Sequence, residues 1–476
     1  METAVSTTTL LIGGAVITVD AERSVHDPGA VAVTDDRIAA VGTPAELRER
    51  FPDAPEIDLS HTVIMPGLVD SHGHAGHGMT KALHDGHDDW LKLVADVYFR
   101  YSDEEFWRAE SYLSALEHIE YGVTTSLSMT GSVPRVDDAK YAVSAHTGYA
   151  ALGLRHVVAL GPPGMPWPAV YRDVATGVET AVDLDRALST AAEAIDQLNG
   201  TQEGRISVFV GPSGLVAEMT ECGSATERAT AAMHGVHELA ESKDVNIHTH
   251  AYAGHLTAAA AAYPDILTPR LTLAHCAGIS IPEVGIMAET GVNASHGPLT
   301  HAFASARFPV TEALEAGVNV AISTDGSGPD RSFDLLAQGR IAAQLQRAYL
   351  ADTSIMPAGK ILEMMTIDAA RALGMESEIG SLEAGKKADI IALNLRSARM
   401  APRLMLLERV VYVGSGLDVE FMMVDGRVLM AQRELPGIDI DRILAEANRA
   451  ARDTYARAGQ LDLLTSHPHT WGHVRY

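Results

Sequence analysis

Cysteine is scarce. Only Cys222 and Cys276 occur among 476 residues. Two cysteines exclude a disulfide framework, and a reducing cytoplasm suits such a chain. Positive charge is also short, with a formal net charge of −26. That speaks against nucleic acid and anionic membrane as partners, favours solubility and says little about substrate. No apolar run is long enough to cross a membrane. Residues 1–9 hold no basic segment followed by an apolar one, so no signal peptide is expected. Low-complexity tracts and solenoid-spaced repeats are absent from the sequence as well. What the chain does have is core: 46% of its residues are hydrophobic. Its length exceeds one ordinary domain and suits a large barrel with a small companion.

The stretch that organises the rest is Val63-Ile64-Met65-Pro66-Gly67-Leu68-Val69-Asp70-Ser71-His72-Gly73-His74. An apolar run ends in Asp-Ser-His-Gly-His. On an extended chain, His72 and His74 point to the same side, so both imidazoles can reach one metal ion. Gly73 between them lets the backbone approach closely.

Residues 8–58 read as short strands rich in β-branched residues, with Gly and Asp at the turns. A matching set appears at 388–393 and 419–428. The two strand-rich ends are expected to pair. Between them lie eight apolar runs, at 63–70, 123–128, 156–160, 206–210, 245–250, 271–275, 292–296 and 318–325. Helical patterns separate most of them, among them 102–121, 183–198 and 225–242. Such alternation predicts a parallel sheet, and eight units fit an α/β fold of the (β/α)8 barrel type. The expected layout is 1–62, N-terminal half of a small β-sandwich; 63–378, barrel; 379–436, the other half of the sandwich; and 437–476, a C-terminal helix and tail. The histidines at 467, 469 and 473 are read as part of an ordered tail.

Polar, metal-competent residues fall at the carboxyl ends of the runs, the active-site face of such barrels. The fifth run ends in His248-Thr249-His250, the sixth in His275 and the eighth in Ser323-Thr324-Asp325-Gly326. Spacing alone does not choose between His248 and His250.

Pro-Gly-Leu-Val-Asp-Ser-His-Gly-His resembles the first metal motif of the amidohydrolase superfamily. It is most similar to the branch of cytosine deaminase and the triazine hydrolases. The resemblance extends over nearly the whole chain. It implies a β-sandwich built from both chain ends and a metal held by His72, His74, His250 and Asp325. It makes His248 a core histidine one layer deeper. It assigns Asp325 as general base and His275 as the catalytic contact to the substrate oxygen. Three imidazoles and one carboxylate suit one divalent ion: zinc first, with iron, cobalt and manganese open. No lysine lies near the end of the fourth run, Gly211-Pro212-Ser213, so a single ion is expected. Such an ion lowers the pKa of its bound water to about 7, which supplies the attacking hydroxide.

One departure matters. In ring deaminases of this superfamily, Glu stands three residues after the fifth-strand histidine. Here the position is Ala253. Without that acid, hydrolysis of an acyclic amide, urea or (thio)carbamate is favoured. The alternative is a deaminase or chlorohydrolase of a nitrogen heterocycle, with His255 or Tyr252 as substitute donor. His296, Tyr252, Trp167 and His255 are the candidate substrate contacts. Trp167 lies in a Pro-rich loop, 161–168, and residues 77–90 are a candidate lid. Together these features resemble the hydrolases of phenylurea and thiocarbamate (molinate) herbicides. That likeness implies a small neutral, partly apolar xenobiotic substrate. The superfamily resemblance also implies a homo-oligomer, a dimer or larger. An inactive scaffold barrel is disfavoured, because every expected ligand is present.

Overall fold

The computed structural model describes residues 7–83, 90–131, 135–164, 166–304, 306–465 and 471. Part of the expected lid (84–89), Met165 and the tail histidines at 467, 469 and 473 lie outside these residues.

The first strands are β1 (Thr8–Ile17), β2 (Val25–His26), β3 (Gly29–Thr34), β4 (Arg37–Gly42) and β5 (Glu56–Pro66). The barrel opens with β6 (Leu68–Asp70), β7 (Val123–Met129) and β8 (Arg155–Leu160). A hairpin of β9 (Ala169–Arg172) and β10 (Glu179–Val182) follows. The barrel resumes with β11 (Ile206–Val210), β12 (Ile247–Tyr252), β13 (Leu271–Ala277), β14 (Asn293–His296) and β15 (Val320–Ile322). The chain returns to the first sheet with β16 (Ile390–Asn394), β17 (Val419–Val424) and β18 (Arg427–Ala431).

Strands from both ends form one mixed sheet in the order β18-β17-β16-β5-β1-β3-β4, with β2 on β1. Leu10, Ile12, Ala30 and Ala32 pack under a helix at Pro44–Arg50. Their neighbours Leu11, Val31 and Val33 face the opposite side, with Ile64, Ile390 and Phe421. This is period-two alternation in a sheet covered on both faces.

The eight barrel strands follow the order β6-β7-β8-β11-β12-β13-β14-β15, and every pair is parallel. The last strand meets the first. The Thr324 amide donates to Asp70 Oδ1 at 3.0 Å, and the Asp325 amide donates to His72 O at 3.0 Å. The fold is a (β/α)8 barrel carrying a separate sheet. Several surrounding helices begin where a side chain caps them. Asp103, Asp183 and Thr226 accept from the amides of Phe106, Arg186 and Ala229. The predicted amphipathic helix near the C-terminus runs Ile440–Arg457, capped by Asp439. Its Ala447, Ala450 and Tyr455 pack with Trp90, Tyr98 and Trp107 beside the barrel mouth.

The run 63–70 is not one strand. Residues up to Pro66 belong to the end-built sheet, and the barrel begins after Gly67. A Cβ at Gly67 would lie 2.1 Å from Thr124 Oγ1, so only glycine lets the chain cross between the sheets here.

Candidate metal centre and active-site cleft

His72 and His74 lie just past the end of β6 rather than on it. The extended course continues, because the Met129 amide donates to Gly73 O and the Ala75 amide to Met129 O, both at 2.9 Å. Between Asp70, opposite Ser126, and His74, opposite Met129, this chain has one residue more than β7, so the alternation slips once; from His72 to His74 it holds, and both rings turn inward.

Each imidazole is oriented by its far nitrogen. His74 Nδ1 donates to Gly131 O at 3.1 Å, and His250 Nδ1 donates to Ser213 O at 2.8 Å. A carbonyl only accepts, so both protons are on Nδ1 and both Nε2 lone pairs face the centre. His72 Nδ1 is 2.8 Å from His248 Nε2, which gives His248 a place as the support of His72. The inward atoms converge. His74 Nε2 lies 3.3 Å from His250 Nε2 and 3.1 Å from Asp325 Oδ1. His72 Nε2 lies 3.2 Å from Asp325 Oδ1, yet it is buried without a hydrogen bond, because its direction is wrong for one. Two acceptor nitrogens this close repel unless a cation lies between them. This donor set of three neutral nitrogens and one carboxylate oxygen fits a divalent ion. Burial holds His72 neutral well below the ordinary imidazole range, and it lowers His250 to about 4. Both are therefore ligands rather than cations at neutral pH.

Asp325 has left-handed backbone, φ 61°, as does His275, φ 66°. Non-glycine residues adopt this conformation sparingly, and it is concentrated at functional sites. Asp325 Oδ2 accepts from Thr300 Oγ1 at 2.5 Å and from Arg331 Nη1. Burial would raise its carboxyl pKa. The Arg331 guanidinium, followed by His275, His72 and His74, outweighs burial and holds it well below the usual range. His275 Nε2 is 3.9 Å from Asp325 Oδ1, and burial keeps the ring neutral.

A cleft of about 290 Å³ opens over these groups. His74, His250, His275 and Asp325 form its polar floor, and Trp90, Leu91, Ala277 and Pro329 supply apolar surface. Tyr252, His77, Ser213, Thr300 and Arg331 complete it. Three predicted substrate contacts lie elsewhere. Ser295 faces the barrel interior and bonds Ser71 Oγ at 2.7 Å, so alternation turns its neighbour His296 outward. His296 lines a separate cavity of about 180 Å³ with His301, Phe308 and Tyr349. Trp167 gives its indole N–H to Pro163 O, 3.0 Å away in its own loop, and does not line the cleft. His255 begins the helix His255–Ala262, beyond the cleft wall. Sequence reasoning missed Arg331 and Thr300. Arg331 had one signal: a lone basic residue six positions after Asp325 in Gly-Pro-Asp-Arg-Ser.

Comparison with known proteins identifies the family. A profile of the amidohydrolase family matches residues 63–429, and an imidazolonepropionase-like composite domain profile matches 29–54. The 5-methylthioadenosine/S-adenosylhomocysteine deaminase of Moorella thermoacetica is 31% identical, covering 88% of this chain and 94% of its own. The 5'-deoxyadenosine deaminase of Methanosarcina acetivorans is 29% identical, covering 93% and 97%. Among solved structures, a zinc-bound adenosine deaminase from Xanthomonas campestris superposes with a TM-score of 0.81 at 25% identity, over 94% of this chain and 98% of that one. Atrazine chlorohydrolase from Arthrobacter aurescens, complexed with zinc, shares the fold with a TM-score of 0.75 at 21% identity, over 93% and 100%. The chain belongs to the amidohydrolase family and is a metal-dependent hydrolase of carbon–nitrogen bonds other than peptide bonds.

Proposed function

We propose that the enzyme hydrolyses an acyclic amide, urea or (thio)carbamate bond in a small, partly apolar molecule. One observation carries this reading. Asp325 is the only carboxylate among the described residues that line the cleft, and position 253 carries only the methyl of Ala253. A ring substrate needs a second acid to protonate its nitrogen, whereas an acyclic carbonyl does not.

When bound, a divalent ion supplies Lewis acidity and a water acidified to about pKa 7. His72, His74 and His250 hold it through Nε2, with Asp325 through Oδ1. Zinc is the first metal to test, and the absence of lysine from 211–213 favours a single ion. Asp325 accepts the proton of the attacking water and returns it to the leaving nitrogen. His275, neutral and close to Asp325, donates from Nε2 to the oxygen that gains charge. Trp90, Leu91 and Pro329 exclude water from the far side of the substrate.

The adenosine-type deaminases among the relatives favour a second reading, hydrolytic displacement on a nitrogen heterocycle. That reading needs a donor in place of Ala253, and Tyr252 is the cleft hydroxyl available for it. The zinc-loaded enzyme should be incubated with aryl ureas, thiocarbamates, anilides, triazines and aminopurines, and the products weighed by mass spectrometry. Release of an amine or thiol with an acid or carbon dioxide is expected. Exchange of a ring amino group or halogen for hydroxyl would overturn the acyclic reading.

A further inference from the structure

Arg331 lines the cleft with its side chain 4% exposed. Its three hydrogen bonds all leave from Nη1: to Asp325 Oδ2, to Asp325 O at 3.2 Å and to Thr300 Oγ1 at 3.1 Å. Among the described residues the buried Nε has no hydrogen-bond partner, and its ion pair with Asp330 is long, at 3.5 Å, with that carboxylate 42% exposed. Nε and Nη2 share one edge of the guanidinium plane. That edge is a rigid, two-pronged donor suited to an sp² oxygen. A buried donor without a partner is costly, so the edge is matched to something that enters the cleft. Charge points the same way. Among the described lining residues there is one carboxylate and one guanidinium. A divalent ion then leaves the cleft net positive, although the whole chain is strongly acidic.

We infer that Arg331 is the specificity-determining residue of the cleft: its Nε–Nη2 edge takes an oxygen acceptor, carbonyl or carboxylate, carried beside the scissile bond. The inference rests on the hydrolase reading above. Nη1 is already committed to Asp325, so the Nε–Nη2 edge is the one left for a ligand. Arg331 therefore has two tasks, orienting Asp325 with one nitrogen and selecting substrate with the other two. A lysine would keep the charge and lose the fork.

The test uses zinc-loaded wild type, R331K and R331Q, titrated calorimetrically with benzoate, benzamide and aniline. These probes share a ring and differ in the oxygen acceptor. Wild type should bind benzamide and benzoate roughly tenfold tighter than aniline, the scale of one well-made charge-assisted contact. R331Q, reconstituted to the zinc occupancy of wild type, should lose that margin, and R331K should keep part of it for benzoate alone. A margin for both acceptors means that a carbonyl suffices, and a margin for benzoate alone identifies a carboxylate. An unchanged margin in R331Q overturns the inference. So does loss of zinc with all three affinities falling together, which would leave Arg331 only as the holder of Asp325. Should R331Q fail to fold, the arginine Nε–H resonance of wild type that is missing in R331K must move on adding benzamide, and a static signal overturns the proposal. A ring-exchange product in the substrate panel would sink the acyclic reading while leaving this binding margin intact.

Discussion

At the amino ends of the barrel strands, Arg155 faces Asp389 at 3.1 Å and Asp425 at 3.5 Å. Arg205 pairs with Asp425 at 3.1 Å and Glu203 at 2.9 Å, and Lys387 reaches Asp425 at 3.0 Å. These charges join barrel to end-built sheet, and each has an opposite charge beside it. At the carboxyl ends the polar atoms are as deeply buried but are not paired off. His72 Nε2, His248 Nδ1, His275 Nδ1 and both nitrogens of His296 have no hydrogen-bond partner. Buried polar groups are normally satisfied, and each exception calls for a reason. At the amino end every charge meets an opposite charge, although Arg205 Nε and Asp425 Oδ1 also lack a hydrogen bond among the described residues, and the network works as a lock. The carboxyl end is arranged for something that arrives from outside.

Substitution can break this contrast. The largest effect is expected from Asp325→Asn, which removes both a ligand and the proton acceptor. Turnover should fall by about a thousandfold or more, with zinc content read by mass spectrometry. At the other end, Arg155→Met should leave Asp389 and Asp425 short of a partner. A loss of about 3–5 kcal/mol in urea unfolding is expected, with turnover per folded molecule unchanged. His248→Phe removes the support of His72 without touching a proposed ligand. Zinc affinity should fall about 10–100-fold in a chelator competition.

The smallest effect concerns pH. Burial depresses the pKa of His296, so below the ordinary value of 6.5 the unfolded chain binds the proton more readily than the folded one. Stability is lost as pH falls below that value. In His296→Asn, the slope of unfolding free energy against pH between 6 and 5 should flatten by up to about 1.4 kcal/mol per unit. An unchanged slope would mean that this ring is not held neutral.

Much of this was legible because buried parallel strands appear as unbroken apolar runs. The same fact hid the break at Gly67. Both sheets bury that segment on both faces, so no change of period marks where one ends. His72, His74, His248, His250, His275 and Asp325 were visible as metal-competent residues at strand ends, but the choice of His250 over His248 came from the family resemblance and not from spacing. Gly131 and Ser213 were not visible, since they orient the histidines through backbone carbonyls that leave no side-chain signature. His296 was a candidate substrate contact from its place at a strand end; Ser295 takes the inward side there and His296 lines a separate cavity. Arg331 reaches Asp325 through a loop whose course sequence pattern does not define.

The run from β5 through Gly67 to His72 ties the metal motif to a strand flanked by β1 and β16. On the ribosome these neighbours emerge far apart. About 320 residues separate Pro66 from Ile390, roughly 16–65 s at ~5–20 residues per second. The segment that presents His72 and His74 therefore waits through most of translation with one sheet edge open. Closure of the end-built sheet is therefore expected late in synthesis, and a nascent chain stalled before residue 390 is predicted to hold a divalent ion poorly.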